Sequence, residues 1–221
     1  MPMDASSLTF ARRSVLAAVA GTASVSALSS FSPAGAVGRR RLERDIQAAR
    51  DRILVGRRSL NGWEMERGVG IGGQLWERPL TGTGGTFGIR SGDVEVVLIR
   101  VVRRFHYEVA ELAPASVVGF LSHRTVGRGH DGNHASGTAV DVLPTCYPLG
   151  ARGGFFPDQV ATIRDILAEC RGLVAWGGDF AVPVESHFEI AAAPEDGRLG
   201  MLASQFRAWD ETPGRTPGVA V

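Results

Sequence analysis

The clearest pattern in this chain occupies residues 134–142, which are His134-Ala135-Ser136-Gly137-Thr138-Ala139-Val140-Asp141-Val142. Its β-branched residues favour a strand over a helix, despite the seven-residue step from His134 to Asp141. In a strand Val140 and Val142 face one side and Asp141 faces the other. Gly137 lets the chain bend, so His134 can leave the preceding loop and meet Asp141 on a common side.

A second segment carries similar side chains further along the chain. It begins Trp176-Gly177-Gly178-Asp179 and continues to Glu185-Ser186-His187-Phe188-Glu189. In a short strand His187 and Glu189 share one face, and Phe188 lies on the other. Two imidazoles and a carboxylate, with another carboxylate close to the last imidazole, are the side chains of a hydrolytic zinc site, which keeps a fourth position for water. The two segments together predict one bound Zn²⁺.

Each segment also has a simpler explanation when taken alone. A histidine beside a glycine-rich turn usually forms a local hydrogen bond, and an aspartate at a strand end is usually a turn residue. Short motifs match by chance often enough that neither segment by itself identifies a metal site. His130 could serve as a spare ligand, but its loop gives it no defined geometry, so it is assigned to the substrate side at most.

The joint pattern points to a known family. It consists of Asn133-His134, Gly137, Ala139 and Asp141, then Trp176 to Asp179, then His187-Phe188, preceded by Gly119-Phe120-Leu121-Ser122-His123-Arg124-Thr125. This combination resembles the VanY-like D-alanyl-D-alanine carboxypeptidase family of zinc metallopeptidases, which is related to L-alanyl-D-glutamate endopeptidases. The similarity runs from about residue 61 to about residue 202. It implies the fold of the DD-peptidase and hedgehog-like zinc proteins.

The resemblance implies a role for several side chains. His134, Asp141 and His187 would be the zinc ligands. Arg124 would polarise the scissile carbonyl or hold a substrate carboxylate.

Three further residues are assigned supporting roles. Arg128 would pair with a substrate carboxylate. Asn133 would bind the substrate or orient its own loop. Glu189 would hold a ligand histidine by its other ring nitrogen.

The general base is where this chain departs from the family pattern. The family places its acid three residues before the final histidine, a position that is Val184 here, whereas Glu185 lies two residues before His187. A one-residue deletion in the turn that begins at Trp176 would bring Glu185 into the base position. Asp179 is the alternative base. A third possibility is a non-catalytic protein that keeps zinc but lacks a placed base. For Glu185 itself, the simpler explanation is a solvated loop glutamate.

The N-terminus has the composition of an export signal. Thr9-Phe10-Ala11-Arg12-Arg13-Ser14-Val15-Leu16 precedes a weakly apolar stretch and Ala34-Gly35-Ala36. This order is that of a charged region, an apolar region and an Ala-x-Ala cleavage site, and the paired arginines favour the twin-arginine route over the general one. We expect residues 1–36 to be removed, no permanent membrane anchor, and a location in the periplasm, cell envelope or medium.

Composition narrows the classes of partner. The formal net charge is +1, and all 24 basic residues are arginine. A near-neutral chain gives no general electrostatic case for nucleic acid. The expected partner is therefore a peptidoglycan stem peptide, bound by a monomer. Cys146 and Cys170 form an even pair suited to a disulfide in an exported protein, and two free thiols are an equal alternative.

Helices followed by strands with a helix between them predict an α+β fold with a small, mostly antiparallel sheet. The expected divisions are an N-terminal helix at 37–60, a zinc peptidase domain at 61–205 and a C-terminal tail at 206–221. A capped helix is predicted after Ser91 or Asp93 and before Pro114. The expected activity is removal of a terminal D-alanine. The alternatives are a peptidoglycan endopeptidase and a non-catalytic cell-wall-binding zinc module.

Overall fold

The computed structural model describes residues 33–212, with side chains from residue 38 onward. The expected export signal therefore lies almost entirely outside the described residues. The chain divides into two compact units, residues 1–41 and residues 42–221. Of the first unit, only residues 33–41 are described, and they form the start of helix α1 (Pro33–Ile53). All that follows concerns the second unit.

The first helix is shorter than the sequence predicted. α1 ends at Ile53 rather than near residue 60, and strand β1 (Leu54–Arg58) follows directly. Gly56 has a φ of 78°, a left-handed conformation that does not continue a helix. β1 pairs antiparallel with β2 (Glu64–Glu66), so the backbone groups of residues 54–58 form sheet hydrogen bonds.

Within residues 33–212, eight strands form three antiparallel sheets. β1 and β2 form one pair, and β3 (Leu75–Leu80) and β4 (Gly85–Arg90) form a second. The third sheet has the order β5-β6-β8-β7 and consists of β5 (Val117–Val118), β6 (Ala139–Val142), β7 (Val174–Trp176) and β8 (His187–Ile190). The expected α+β class with a small antiparallel sheet is therefore confirmed. The glycine-rich region from residue 54 to residue 90 forms two hairpins, β1–β2 and β3–β4.

Helix α2 (Asp93–Glu108) covers the four-stranded sheet. Its apolar stripe is buried, at Val94, Val97, Leu98, Val101, Val102 and Phe105. The Phe105 ring meets the ring of Phe188 on β8 edge-on, with centroids 6.0 Å apart. This packing fixes the back of β8, so the opposite side of that strand can present polar groups.

The ends of α2 differ from the prediction. Gly92 is the N-cap residue and no side chain caps the helix, whereas Ser91 or Asp93 was expected to do so. Asp93 lies in the first turn, where its charge complements the helix dipole. The helix ends at Glu108, well before Pro114.

Two more helices complete the layer beside α2. α3 (Pro157–Glu169) begins at Pro157 as predicted, and both oxygens of Glu169 accept hydrogen bonds of 2.9 Å from Arg100 on α2. α4 (Gly197–Asp210) extends into the expected C-terminal tail, because Phe206 is fully buried in the core. The rest of that tail, residues 213–221, lies outside the described residues. None of the helices within residues 33–212 combines the length and apolar character needed to cross a bilayer.

The two cysteines are free thiols. Cys146 is exposed and Cys170 is buried at the end of α3. Burial raises the pKa of the Cys170 thiol to about 12. The sequence allowed either a disulfide or two free thiols, and the structure has two free thiols.

Candidate metal centre

Strand register brings Asp141 and His187 together. β6 pairs antiparallel with β8 so that Asp141 lies directly opposite His187, and Ala139 lies opposite Glu189. Directly opposite residues in an antiparallel pair have Cβ atoms roughly 5 Å apart. The Nδ1 atom of His187 lies 2.8 Å from Oδ1 of Asp141.

His134 reaches the same carboxylate from a different element. It lies in a 3-10 helix (His130–Ser136) that ends at Gly137, whose φ of 67° is left-handed. This turn replaces the plain loop that the sequence suggested. Nε2 of His134 lies 3.3 Å from Oδ1 of Asp141, and the rings of His134 and His187 have centroids 5.1 Å apart.

The three side chains form one compact donor set. One ligand atom from each of His134, Asp141 and His187 lies within 4.8 Å of the others. The two imidazoles are 1% and 3% exposed, and Asp141 is partly buried. The predicted convergence of the three residues is therefore present.

Each imidazole is oriented by a second hydrogen bond on its far nitrogen. Nδ1 of His134 lies 2.5 Å from the carbonyl oxygen of Gly119, and Nε2 of His187 lies 3.0 Å from Oε2 of Glu189. These acceptors select the tautomers in which His134 Nδ1 and His187 Nε2 carry the protons. His134 Nε2 and His187 Nδ1, which lie on the side of Asp141, are then the nitrogens that a metal ion would use in place of a proton. Metal-binding histidines almost always have such an outer partner.

The electrostatics follow from burial and these contacts. Burial alone would raise the pKa of Asp141, but its hydrogen bonds with His134 and His187 outweigh burial and hold the pKa well below the usual range. Burial alone would lower the pKa of His187, yet contacts with Asp141 and Glu189 raise it to about 9. Burial alone would raise the pKa of Glu189, but its contacts with His187, His130 and Asn133 outweigh burial and lower it. The centre therefore has two ionised carboxylates that need cationic partners.

Glu189 contacts three side chains around the metal-binding residues. Besides His187, it receives a 2.7 Å hydrogen bond from Nδ2 of Asn133, and its other oxygen lies 2.9 Å from Nδ1 of His130. Asn133 is fully buried, and its Oδ1 accepts from the backbone N–H of Asn61. This burial favours the loop-orienting role of Asn133 over a substrate contact.

Glu185, two residues before His187, has its carboxylate fixed by backbone hydrogen bonds. It is 7% exposed, and its two carboxylate oxygens accept hydrogen bonds from the backbone N–H groups of Gly153 and Gly154, at 2.7 and 2.8 Å. The carbonyl oxygen of Glu185 accepts from the indole of Trp176. A solvated loop glutamate would make none of these contacts, so the structure contradicts that explanation. Each oxygen still has a second lone pair.

Asp179, the alternative base, is engaged elsewhere. Both of its oxygens accept 2.5 Å hydrogen bonds from the guanidinium of Arg164 on α3. The hydrogen bond to Arg164 lowers the pKa of Asp179. A carboxylate with both oxygens in a bidentate ion pair is a poor proton acceptor. Glu185 therefore remains the better candidate.

The two arginines with expected substrate roles lie on one exposed segment. Arg124 lies within a turn in which the Thr125 N–H donates to the Ser122 carbonyl, and Arg128 lies a few residues further on. Both side chains are exposed. This turn comes after β5, which ends at Val118.

Several contributors to the site carry no sequence signal. The Gly119 carbonyl and the Gly153 and Gly154 amides act through the backbone, which is common to all residues. His130 was assigned to the substrate side, yet its ring touches Glu189 and stacks on Phe180 with centroids 3.6 Å apart. Its position four residues before His134 was the available signal.

Comparisons of this chain with protein-family models, with curated proteins and with solved structures found no match.

Proposed function

We propose that this protein is an exported zinc-dependent peptidase that hydrolyses peptidoglycan stem peptides, with removal of a terminal D-alanine as its reaction. The observation that supports this proposal most is the convergence of His134, Asp141 and His187 on one point, with ligand atoms within 4.8 Å of each other. The substrate and the bond rest on the resemblance to the D-alanyl-D-alanine carboxypeptidase family.

The donor set fits zinc. Two imidazole nitrogens and one carboxylate oxygen are the ligands of a catalytic zinc site with an open position, and hard cations such as Mg²⁺ favour oxygen ligands instead. The hydrogen bonds from the far nitrogens of the two imidazoles leave His134 Nε2 and His187 Nδ1 as the available donors. When bound, zinc supplies a water acidified to a pKa of about 7 as the nucleophile.

Protein side chains supply the proton transfer and the positioning. Glu185 accepts the proton of the attacking water and later gives it to the leaving amine. The amides of Gly153 and Gly154 hold its carboxylate in one orientation. Arg124 donates hydrogen bonds to the scissile carbonyl oxygen as negative charge develops there, and Arg128 pairs with the carboxylate of the peptide.

The decisive experiment combines activity with two variants. Purified zinc-loaded protein should release D-alanine from a synthetic stem pentapeptide. Glu185→Gln should lower turnover by about 10²- to 10⁴-fold, the usual contribution of a general base, while leaving zinc bound. Glu195→Gln is the matched control, because Glu195 is an exposed glutamate whose nearest ion-pair contact is a weak one of 3.9 Å with Arg58.

Other outcomes would change the proposal in defined ways. Release of internal fragments instead of D-alanine would make the protein an endopeptidase. Full activity in Glu185→Gln, with loss in Asp179→Asn, would move the base to Asp179. Binding to cell-wall material without any cleavage would leave a non-catalytic zinc module.

A further inference from the structure

An open pocket rich in arginine lies beside the β1–β2 hairpin. It has a volume of about 360 Å³ and is lined by Arg57, Arg58, Ser59, Leu60, Met65 and Arg128. Three of these six residues are arginine and none is acidic, so the lining carries a formal charge of +3. This volume falls within the range of small-molecule sites.

The arginines of this pocket contact mainly uncharged acceptors, so their positive charge is not neutralised by close carboxylates. Arg57 donates to the sulfur of Met65 at 3.3 Å and to the His123 carbonyl at 3.5 Å, and both acceptors are uncharged. Arg58 donates to the Gly62 carbonyl, and its contact with the exposed Glu195 is a long 3.9 Å. Within residues 38–212, no carboxylate pairs with Arg57 or Arg128.

The positive region extends past the pocket. The pKa of His123 is lowered first by burial and then by Arg124, Arg67 and Arg57. The Nδ1 atom of His123 is buried and, among the described residues, has no hydrogen-bond partner. The field of several unpaired guanidinium groups therefore reaches a neighbouring side chain, which supports an anionic ligand for this region.

We propose that Arg57, Arg58 and Arg128 form an oxyanion site that binds a phosphate group. A phosphate monoester carries a charge of about −1.5 to −2 and three acceptor oxygens, which suits several guanidinium forks at once. A carboxylate has one charge and two oxygens, and a single arginine satisfies it. The number of unneutralised arginines thus favours phosphate over carboxylate.

This site contains none of the three metal ligands, although it shares Arg128 with the substrate contacts proposed above and neighbours the metal centre. Met65, which lines the pocket, also packs against Gly132 in the 3-10 helix that carries His134, with a methyl group 3.5 Å from where a Gly132 Cβ would lie. A phosphate held here would sit beside that helix. The site does not depend on the proposed peptidase activity and is tested without it.

The test titrates the purified protein with inorganic phosphate at constant ionic strength, followed by calorimetry. Arg128→Gln and Arg57→Gln should each weaken binding about tenfold or more, because each removes charge-assisted hydrogen bonds. Arg103→Gln is the matched control, since it removes one charge from α2 at a distant surface ion pair with Asp210. Asp141→Asn removes a metal ligand and should leave phosphate binding intact, which separates this site from phosphate bound to zinc.

Three results would overturn the proposal. They are no phosphate binding by the wild type, equal binding by Arg128→Gln, Arg57→Gln and Arg103→Gln, and loss of binding in Asp141→Asn alone. If the site is present, glycerol phosphate, a monoester, should bind more tightly than poly(glycerol phosphate) per phosphate, because each diester has one charge and two free oxygens. Equal or tighter binding of the polymer would contradict the preference for a doubly charged group.

Discussion

Asp141 is the residue around which the candidate site is built, because it faces both imidazoles at once. Its Oδ1 lies 2.8 Å from His187 and 3.3 Å from His134. In the absence of a metal, the raised pKa of His187 places a proton on the imidazole nitrogen that faces this carboxylate. A divalent cation would replace that proton, so metal binding and protonation of His187 compete for the same atom.

The metal-free protein should therefore have a distinctive pH dependence of stability. The pKa of His187 is raised from 6.5 to about 9, so its contribution is fully present below pH 6.5 and is lost as the pH rises through 9. With EDTA present, we expect the free energy of unfolding to fall by roughly 1–3 kcal/mol between these pH values. Urea unfolding of the wild type and of His187→Gln measures this difference.

The variant lacks the titrating group and serves as the control. It should have a nearly flat profile over the same pH range. A wild-type stability that stays constant or rises from pH 6.5 to 9 would contradict the raised pKa. On the acidic side, the lowered pKa of Asp141 stabilises the folded protein at any pH above the ordinary pKa of an aspartate. This stability is lost as the pH falls through the lowered pKa.

The two cysteines should differ in reactivity for reasons of burial. Burial raises the pKa of Cys170 to about 12, so at pH 8 almost none of this thiol is ionised, whereas Cys146 is exposed. Native protein should react rapidly with a disulfide reagent at one thiol per chain, and denatured protein at two. Two rapidly reacting thiols in the native state, or none, would be inconsistent with this arrangement.

At the scale of elements, Gly137 joins the 3-10 helix of His134 to strand β6. A Cβ at this position would lie 2.3 Å from Cδ2 of Leu75 and 2.7 Å from the backbone nitrogen of Arg90, so it could not be accommodated without movement. Its φ of 67° adds the left-handed penalty of an L residue. The turn is therefore specified by contact as well as by conformation.

Gly137→Ala should destabilise the protein by about 3 kcal/mol or more and weaken zinc binding, because the strained turn displaces His134. Gly172→Ala is the control, with a φ of 74° and no atom within 4 Å of the added Cβ. It should cost only about 1–2 kcal/mol and leave zinc affinity unchanged. Thermal unfolding and a zinc competition assay give both quantities, and equal effects of the two variants would show that contact at Gly137 is unimportant.

The strands of the site could be predicted from their alternation, whereas the hairpins before α2 could not. β6 and β8 place Val140 and Phe188 on the buried face, so a period of two was visible in the sequence. β1 to β4 contain Gly56, Pro79 and Gly88, residues typical of loops. Each of these strands pairs with a neighbour in sequence, but contacts from distant parts of the chain hold the hairpins in place. One example is Arg90, whose guanidinium donates to the carbonyls of Ser136 and Glu64.

At the scale of the whole molecule, the sequence predicted the side chains of the site better than the groups that hold them. His134, Asp141 and His187 were found from residue type and spacing. The Gly119 carbonyl and the Gly153 and Gly154 amides could not be found, because any residue provides such groups and only the folded chain places them. The sequence left two roles open for Asn133, at the substrate or in its own loop, because its burial depends on Asn61 and Glu189, which bind its amide from distant parts of the chain.

The measurement that tests the central claim most directly is the zinc content of the purified protein and of Asp141→Asn, determined by elemental analysis after equilibration with buffered zinc. We predict a single zinc ion per chain in the wild type, none in Asp141→Asn, and a single ion in Asp158→Asn, an exposed control on α3. A wild type without zinc, or an Asp141→Asn variant that binds zinc as tightly as the wild type, would contradict the account.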